Sequence, residues 1–283
     1  MSRTLFIPRN SNQVLHLAEY ASNFMKRGKP SEAVIERTKL FHTDSVICGI
    51  SALALRCNSP TILKNEAILY EKRSTNLTKK MKYFARCFGS SSLVPVEKAI
   101  LANCAAVREW DSNGTVFGYR EGFPEHQAGE FGHNDFYPVV VAAASHNGYL
   151  DGKNIIKGMI LSDEIRGRLA EAFPLKKYKV DHVVHGAIAS AITYGTLIGA
   201  NPEQIESAVG LLVAHYIPFR VIRHGYQLSD SKGASAAITT EMAIVAVRRA
   251  MMGFQGPKNV INNPEAIFRL LSGYPEDESP FEI

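Results

Sequence analysis

A long irregular segment between two apolar helical stretches, from Asp111 to Tyr137, concentrates side chains that can move protons. It exceeds the roughly 12–15 residues beyond which loops in compact domains are uncommon and usually functional or disordered. Asp111 begins the segment, Thr115 follows four positions later, and His133 lies further along. They could supply a carboxylate, a hydroxyl donor and a proton-transfer group whose unperturbed pKa is near neutrality. The alternative is that Asp111 and Asn113 form turn hydrogen bonds and His133 caps the next helix.

Two further clusters carry polar groups at predicted helix starts. His182 and His185 are three residues apart and so lie on one face of a first turn, although most histidines in such positions are structural. Residues 218–237 place cations and hydroxyls before a helix of small residues. The candidates there for binding an anion are Arg220, Arg223, Ser229 and Lys232. Free amides and the helix dipole favour negative charge at a helix start, but an ordinary capped helix with a solvated basic approach is the competing interpretation.

The cysteines do not indicate a metal site or a protein-bound cluster. They are Cys48, Cys57, Cys87 and Cys104. They include no C-x-x-C pair, so neither structural zinc nor an iron–sulfur cluster is expected. Cys48 and Cys104 lie in apolar helical stretches and are predicted to be buried free thiols, which fits a reducing compartment.

A metal site built by the long loop is not expected either. The side chains that would have to converge are His126, Glu130, His133 and Asp135. Their spacing matches no zinc pattern such as H-E-x-x-H. We therefore predict no bound metal.

The elements that must position these clusters are predicted to be all-α. Apolar residues recur at helical spacing over residues 30–56 and 95–110, with Ser31 as a cap and Pro95 as a first helical residue. Five more helical stretches follow the loop, and several have apolar faces rich in Ala, Gly and Ser. Small residues let helices approach closely, and helices that are apolar over most of their circumference must be buried. The sequence contains no alternating strand pattern and no repeat. We predict one compact all-helical domain over residues 15–272.

Both ends of the chain are predicted to lie outside this domain. Residues 1–14 form an N-terminal segment that we expect to be flexible. Arg3 and Arg9, with no acid before Glu19, are compatible with a short organelle-targeting segment. Residues 273–283 end in SPFEI, which is typical of the entry to another element, and we interpret them as the start of a linker to a second domain that this sequence lacks.

Composition narrows the class of ligand. Apolar residues make up 46% and charged residues 21% of the 283 residues, as in an ordinary soluble globular protein. The formal charge of +5 is spread along the chain with no basic run, so no nucleic-acid partner is expected, and an anionic small molecule is weakly favoured. No stretch approaches the roughly 18 apolar residues of a membrane span, and the N-terminus lacks the apolar core of a secretory signal. A cytoplasmic or mitochondrial-matrix location is expected.

Four segments taken in order resemble the 2-methylcitrate dehydratase family, the MmgE/PrpD superfamily, which also contains cis-aconitate decarboxylase. They are REWDSNGT, GEFGHND, YKVDHVVHGAIAS and SDSKGASAAITTEMA. The resemblance extends from about residue 15 to the end. It implies an all-helical domain that forms homodimers and is followed in the family by a smaller α+β lid, with the active site between the two. This chain resembles the helical domain alone.

The resemblance also implies roles for individual residues. Asp111 and His133 match the acid/base pair, Thr115 a hydroxyl that orients the substrate, and His182 a group that binds substrate or relays protons. The family's active-site lysine matches Lys232, although without a gap its position falls on Ser229. His185 competes with His182, and Arg220 and Arg223 are further candidates for substrate binding.

The implied reaction is the elimination of water from 2-methylcitrate to give 2-methyl-cis-aconitate, in propionate catabolism. Such an elimination needs one group to take a C–H proton and another to protonate the departing hydroxyl. Because the cysteines do not support a cluster, cationic side chains must offset the developing charge, and no cofactor is expected. The long stretch between Thr115 and His133 favours the dehydratase branch. The alternatives are cis-aconitate decarboxylation and a non-catalytic helical dimerisation module.

Overall fold

The computed structural model describes residues 7–8, 10–72, 83–117, 130–147 and 151–266. The predicted linker 273–283, His126 and half of the N-terminal segment (residues 1–6 and 9) lie outside these residues. The helices are α1 (Gln13–Arg27), α2 (Glu32–Ala54), α3 (Asn58–Leu69), α4 (Val96–Arg108), α5 (Tyr137–Asn147), α6 (Gly152–Ala172), α7 (Val183–Ile198), α8 (Pro202–His215) and α9 (Asp230–Met251). Two strands, β1 (Phe84–Arg86) and β2 (Leu93–Pro95), form an antiparallel hairpin. The all-α prediction is confirmed.

Side-chain caps begin several helices, and Ser31 is a cap as the sequence predicts. The Ser31 hydroxyl accepts a hydrogen bond from the Val34 amide at the start of α2. Asn201 and Gln204 form a reciprocal capping box at the start of α8. Each cap satisfies backbone amides that a helix start leaves without intrahelical partners.

Helix α7 lies at the centre of the described structure. It packs against α5, α6, α8 and α9, and nearly all of its residues are buried. Its small residues allow these close approaches. Gly186 is the tightest case, because a Cβ atom there would lie 2.1 Å from the Phe136 ring. That ring belongs to the short 3-10 turn His133–Phe136, so α7 seats the part of the long loop that carries His133.

Three details differ from the sequence-based prediction. The β1–β2 hairpin was not predicted, because strands of three residues are too short to show alternation. Asn103 of α4 holds the hairpin in place: its side-chain amide donates to the Arg86 carbonyl, and its side-chain oxygen accepts from the Phe88 amide. Cys104 is a buried free thiol, but Cys48 is only half-buried, since one face of α2 is exposed. Helix α9 begins before its small residues, at Asp230, with Ser229 as its cap, so Lys232 lies in the first helical turn.

Among the described residues, no single helix is both long and apolar enough to cross a membrane. Helices α2 and α3, bent by 88°, reach the required length and composition only when taken together.

The contact between Gly186 and Phe136 predicts opposite effects for two glycine substitutions. Gly186→Ala should lower the free energy of unfolding by about 1–3 kcal/mol, because the added methyl overpacks the core. Gly167→Ala in α6 is the control: nothing lies within 4 Å of its Cβ position, so it should raise the free energy of unfolding by roughly 0.5–1 kcal/mol. Urea unfolding of both variants measures the difference. Equal stability of the two would contradict the packing described here.

Candidate active site

An open cavity of about 470 Å³ lies where the end of α4, the long loop and the start of α9 meet. It is lined by Arg108, Asp111, Phe131, Arg223, His224, Leu228 and Lys232. Arg108, Arg223 and Lys232 are cations, whereas Asp111 is the one carboxylate among the described lining residues. A cavity of this size and charge suits a small anionic molecule.

Asp111 forms an ion pair at each of its carboxylate oxygens. Oδ1 is 2.7 Å from Nη1 of Arg108, and Oδ2 is 2.9 Å from Nζ of Lys232. Partial burial alone would raise the pKa of Asp111, but the hydrogen bond from Lys232 and the charge of Arg108 outweigh it, so the pKa lies below its ordinary value. Its φ of +52° is unusual for a residue other than glycine. A strained, ionised carboxylate between two cations is typical of a functional position.

A buried polar layer supports the cavity from below. Nε of Arg108 lies 3.5 Å from Oδ2 of Asp135, and Oδ1 of Asp135 accepts a hydrogen bond from Asn113 at 2.6 Å. Arg166 of α6 donates to the carbonyls of Gly132 and Phe131. These contacts fix the two ends of the long loop against α4 and α6.

Gly132 is required for this layer. Its φ is +68°, and a Cβ atom there would lie 2.8 Å from the Asp135 carboxylate and 2.9 Å from Arg108. Any larger residue would strain the backbone and separate this ion pair.

His133 is buried next to this layer. Its Nδ1 accepts a hydrogen bond from the Thr115 amide at 3.3 Å, so a neutral ring carries its proton on Nε2. Nε2 lies 4.0 Å from Oδ2 of Asp163. Burial, assisted by the charge of Arg166, lowers the pKa of His133 to about 4. The imidazole is therefore neutral near pH 7.

Asp163 of α6 is held by a hydrogen bond from Tyr137. The Tyr137 hydroxyl donates to its Oδ2 at 2.6 Å. Burial raises the pKa of Asp163 to about 7, although the Tyr137 hydrogen bond and the charge of Arg166 act in the opposite direction. Asp163 and His133 thus form a weakly charged pair below the loop.

His182 lies at the start of α7, beside two carboxylates. Its Nδ1 is 3.1 Å from Oε2 of Glu130 and 3.7 Å from Oδ1 of Asp181. The other oxygen of Asp181 accepts from Nε of Arg223 at 2.5 Å, and Nη2 of Arg223 donates to Ser235. Asp181 therefore connects His182 to a cation of the cavity wall.

The structure brings together only some of the residues singled out in the sequence. Asp111, Arg223 and Lys232 line the cavity. Thr115 is exposed and reaches His133 through its amide. His133, His182 and His185 are buried, the last completely and within α7.

Two of the predicted anion-binding residues lie outside the cavity lining. The Arg220 guanidinium contacts the His224 ring in an exposed turn. The Ser229 hydroxyl accepts from the Ser231 amide as the cap of α9. Of the predicted loop metal set, His126 lies outside the described residues, and within the described part of the chain no group of three or more potential ligands converges on a metal position.

A match to a known protein family identifies the relatives of this chain. The model of the MmgE/PrpD N-terminal domain matches residues 15–279. The chain belongs to the MmgE/PrpD family. The resemblance drawn from the four sequence segments is thereby confirmed.

Curated relatives of this MmgE/PrpD chain are named 2-methylcitrate dehydratases. The protein from Escherichia coli O157:H7 is 27% identical over 173 residues, which cover 61% of this chain and 35% of the relative. The protein from Salmonella typhimurium is 27% identical over 165 residues, 58% and 34% of the two chains. A protein from Yarrowia lipolytica, named as mitochondrial, is 29% identical over 92 residues, covering 32% of this chain and 18% of its own. The chain spans about a third of the length of the first two relatives.

Several residues of this MmgE/PrpD site were not singled out in the sequence. They are Arg108, Asp163, Arg166 and Asp181. Helical spacing carries a signal for one of them: Arg166 lies on the same face of α6 as the buried Ser162 and Leu169. A cation on a buried helix face requires a partner. The others are ordinary polar residues until their partners from distant segments are known.

The buried neutral His133 predicts a specific pH dependence of stability. The unfolded chain binds a proton on this histidine below pH about 6.5, whereas the folded protein does so only below about 4, so stability falls as the pH is lowered through this range. Between pH 7.5 and 5 this histidine should contribute a loss of up to about 2 kcal/mol. His133→Asn should lose less stability over this interval than the wild type, by that amount, in urea unfolding at both pH values.

The exposed His215 of α8 provides a matched control. His215→Asn should retain the wild-type dependence, because this side chain is exposed to solvent in the folded protein. If His133→Asn and the wild type lose the same free energy, His133 is not held neutral by burial.

Proposed function

We propose that this chain supplies the helical side of the active site of a hydro-lyase that eliminates water from 2-methylcitrate to give 2-methyl-cis-aconitate. The observation that carries the proposal is the cavity in which Arg108, Arg223 and Lys232 surround Asp111. The names of the relatives support this choice of substrate. The chain covers about a third of their length, so the proposal concerns the part of the site that these residues build.

The excess of cations over carboxylates supports a polyanionic substrate. Arg108 and Arg223 present planar guanidinium groups that suit a carboxylate, and Lys232 adds a mobile point charge. Without substrate, Asp111 is ion-paired to both Arg108 and Lys232, and a net positive charge remains. A substrate carboxylate entering the cavity would compete for these cations and loosen their hold on Asp111, whose pKa would then rise towards a value suited to proton transfer.

The protonation states of three side chains support an elimination reaction. Asp111 is ionised, so it can accept a proton, and His133 and His182 are buried neutral groups that can hold one. Removing a proton adjacent to a carboxylate develops negative charge, which the cavity cations stabilise. The exposed Thr115 hydroxyl is assigned to orient a substrate carboxylate or the leaving hydroxyl, and Asp111 with His133 to the acid/base exchange.

Turnover with two substrates tests the proposal. The protein should convert 2-methylcitrate to an unsaturated tricarboxylate, measured by absorbance of the new double bond. Carbon dioxide release from cis-aconitate without turnover of 2-methylcitrate would instead identify a decarboxylase. Absence of both reactions, with the protein folded, would favour a non-catalytic helical module.

Lys232→Gln tests the role of the cavity cations. It removes one charge-assisted contact, and kcat/KM should fall by about 10- to 100-fold. Lys26→Gln, at an exposed position in the last turn of α1, is the matched control and should leave kcat/KM unchanged. If the two variants behave alike, Lys232 does not bind the substrate.

We also propose that the chain forms a homodimer through α2. Its solvent face carries Leu40, Thr43, Ile47, Ile50 and Ala54, spaced alternately by three and four residues as in a helix–helix seam. Leu40, Ile47 and Ile50 are 64%, 62% and 55% exposed. In an antiparallel pair centred on Ile47, Leu40 of one copy would meet Ala54 of the other, large against small.

Ile47→Asp tests the α2 interface. Burying a carboxylate in the seam should convert a dimer to a monomer in sedimentation velocity, because an unpaired buried charge is strongly unfavourable. Met252→Asp, at an 81% exposed apolar residue after α9, is the control and should leave the dimer intact. A monomeric wild type, or a dimeric Ile47→Asp, would contradict the proposal.

A further inference from the structure

Contacts of both its backbone and its side chain hold Glu130 in place beside the cavity. Its backbone pairs with Phe117 in both directions, at 2.9 and 2.6 Å, which joins the two described ends of the long loop. Its side chain is buried. Oε2 lies 3.1 Å from Nδ1 of His182, and Oε1 lies 3.8 Å from Nζ of Lys176. A buried carboxylate facing an imidazole resembles the orienting carboxylate of other acid–base sites.

We propose that Glu130 is a positioning residue that holds His182 in the tautomer with its proton on Nδ1, leaving Nε2 to exchange a proton at the cavity. This inference rests on the proposed lyase function for its catalytic consequence, but not for the tautomer itself. Glu130 acts through His182 and does not contact the substrate.

Nδ1 of His182 is fully buried, whereas the side chain as a whole retains 10% exposure, which therefore belongs to its other atoms. Oε2 of Glu130 is buried as well and lies 3.1 Å from Nδ1, outside the alignment of a hydrogen bond, and neither atom has another hydrogen-bond partner among the described residues. A small rotation that pairs the two atoms would satisfy both and place the proton of the neutral ring on Nδ1. Nε2 then carries the lone pair.

The surroundings of Glu130 and His182 favour a state in which the two side chains hold one proton between them. Burial raises the pKa of Glu130 to about 7, against the charges of Lys176, Arg166 and Arg220 and with the help of Asp181. Burial, together with the charges of Arg223, Arg166, Lys176 and His185, lowers the pKa of His182 well below its ordinary value. Such groups titrate as a coupled pair.

The position of the pair allows a balanced proton transfer. Phe131, next to Glu130, lines the cavity, and Asp181, next to His182, binds the cavity-lining Arg223. When the substrate C–H bond breaks, the acid/base pair of Asp111 and His133 takes the proton while the electron pair forms the C=C bond and the C–O bond breaks, and Nε2 of His182 then accepts that proton as a relay. The imidazolium, stabilised by the Glu130 carboxylate, then returns that proton from Nε2 to the departing hydroxyl, and water leaves.

The tautomer is measured directly by ¹⁵N NMR of histidine-labelled protein. In the wild type, His182 should show a protonated Nδ1 and an unprotonated Nε2 near pH 7. Glu130→Gln should redistribute the proton between the two nitrogens and shift the titration of His182, because the amide replaces a carboxylate. A wild-type ring protonated on Nε2, or one whose tautomer is unchanged in Glu130→Gln, would overturn the inference.

Kinetics of the same variants test the catalytic consequence. Glu130→Gln should lower kcat at least about 10-fold, a share of the 10²–10⁴-fold typical of acid–base catalysis, and displace the pH profile, with KM nearly unchanged. Glu97→Gln is the matched control: Glu97 is also buried and ion-paired, to Arg248, but at the opposite end of α4. It should leave kcat and the His182 spectrum unchanged.

The two measurements separate failure of the inference from failure of the proposed function. If the wild type turns over no tricarboxylate but the tautomer depends on Glu130, the lyase proposal fails and the positioning role remains. If turnover is observed and Glu130→Gln alters neither kcat nor the spectrum, the positioning role fails.

Discussion

Two buried arginines hold the turn from Phe131 to Asp135 between them, and the rest of the site depends on this clamp. Arg166 reaches the carbonyls of Phe131 and Gly132, and Arg108 faces the Asp135 carboxylate. A buried guanidinium is stable only with such partners, and removing one from a buried pair typically costs about 3–5 kcal/mol. These contacts stabilise the turn, and the turn sets where His133 and Glu130 lie relative to α4 and α7.

Arg108, one of these two arginines, connects the buried layer to the cavity. In the cavity, it and Lys232 form ion pairs with Asp111. The cations Arg108, Arg223 and Lys232 line the cavity, and Lys232 is the most exposed of them, at 36% of its side chain. The neutral His133 and His182 are not among the described lining residues, and burial disfavours their charged form. Anion binding and proton storage thus fall to different groups.

Helices α2 and α7 each carry a polar residue of the site and also a separate apolar surface. One face of α2 supplies Asp44, which accepts hydrogen bonds from the Gly114 amide and the Asn134 side chain. Its other face carries the exposed apolar stripe. Helix α7 seats Phe136 against Gly186 and begins with His182. Because each helix is rigid, packing on one face constrains the position of polar groups on another.

Much of this protein follows from its sequence alone. Helical spacing and capping residues such as Ser31 and Asn201 indicate the helices, because they depend on contacts within a few residues. The length and composition of the loop point to Asp111 and His133, and the basic approach to α9 points to Arg223 and Lys232. The three-residue strands and the exact start of α9 were missed, since both depend on contacts with α4 or on a single cap.

Only the tertiary structure decided which of these groups meet. Lys232 reaches Asp111 because the starts of α9 and the long loop converge at the end of α4. Glu130 faces His182, and Asp163 faces His133, because α6 and α7 bring their residues under the loop. Arg220 and Ser229 share the same basic segment yet lie outside the cavity. Side-chain types and local spacing are properties of the chain, but burial, pairing and the resulting pKa values depend on which helix faces pack together.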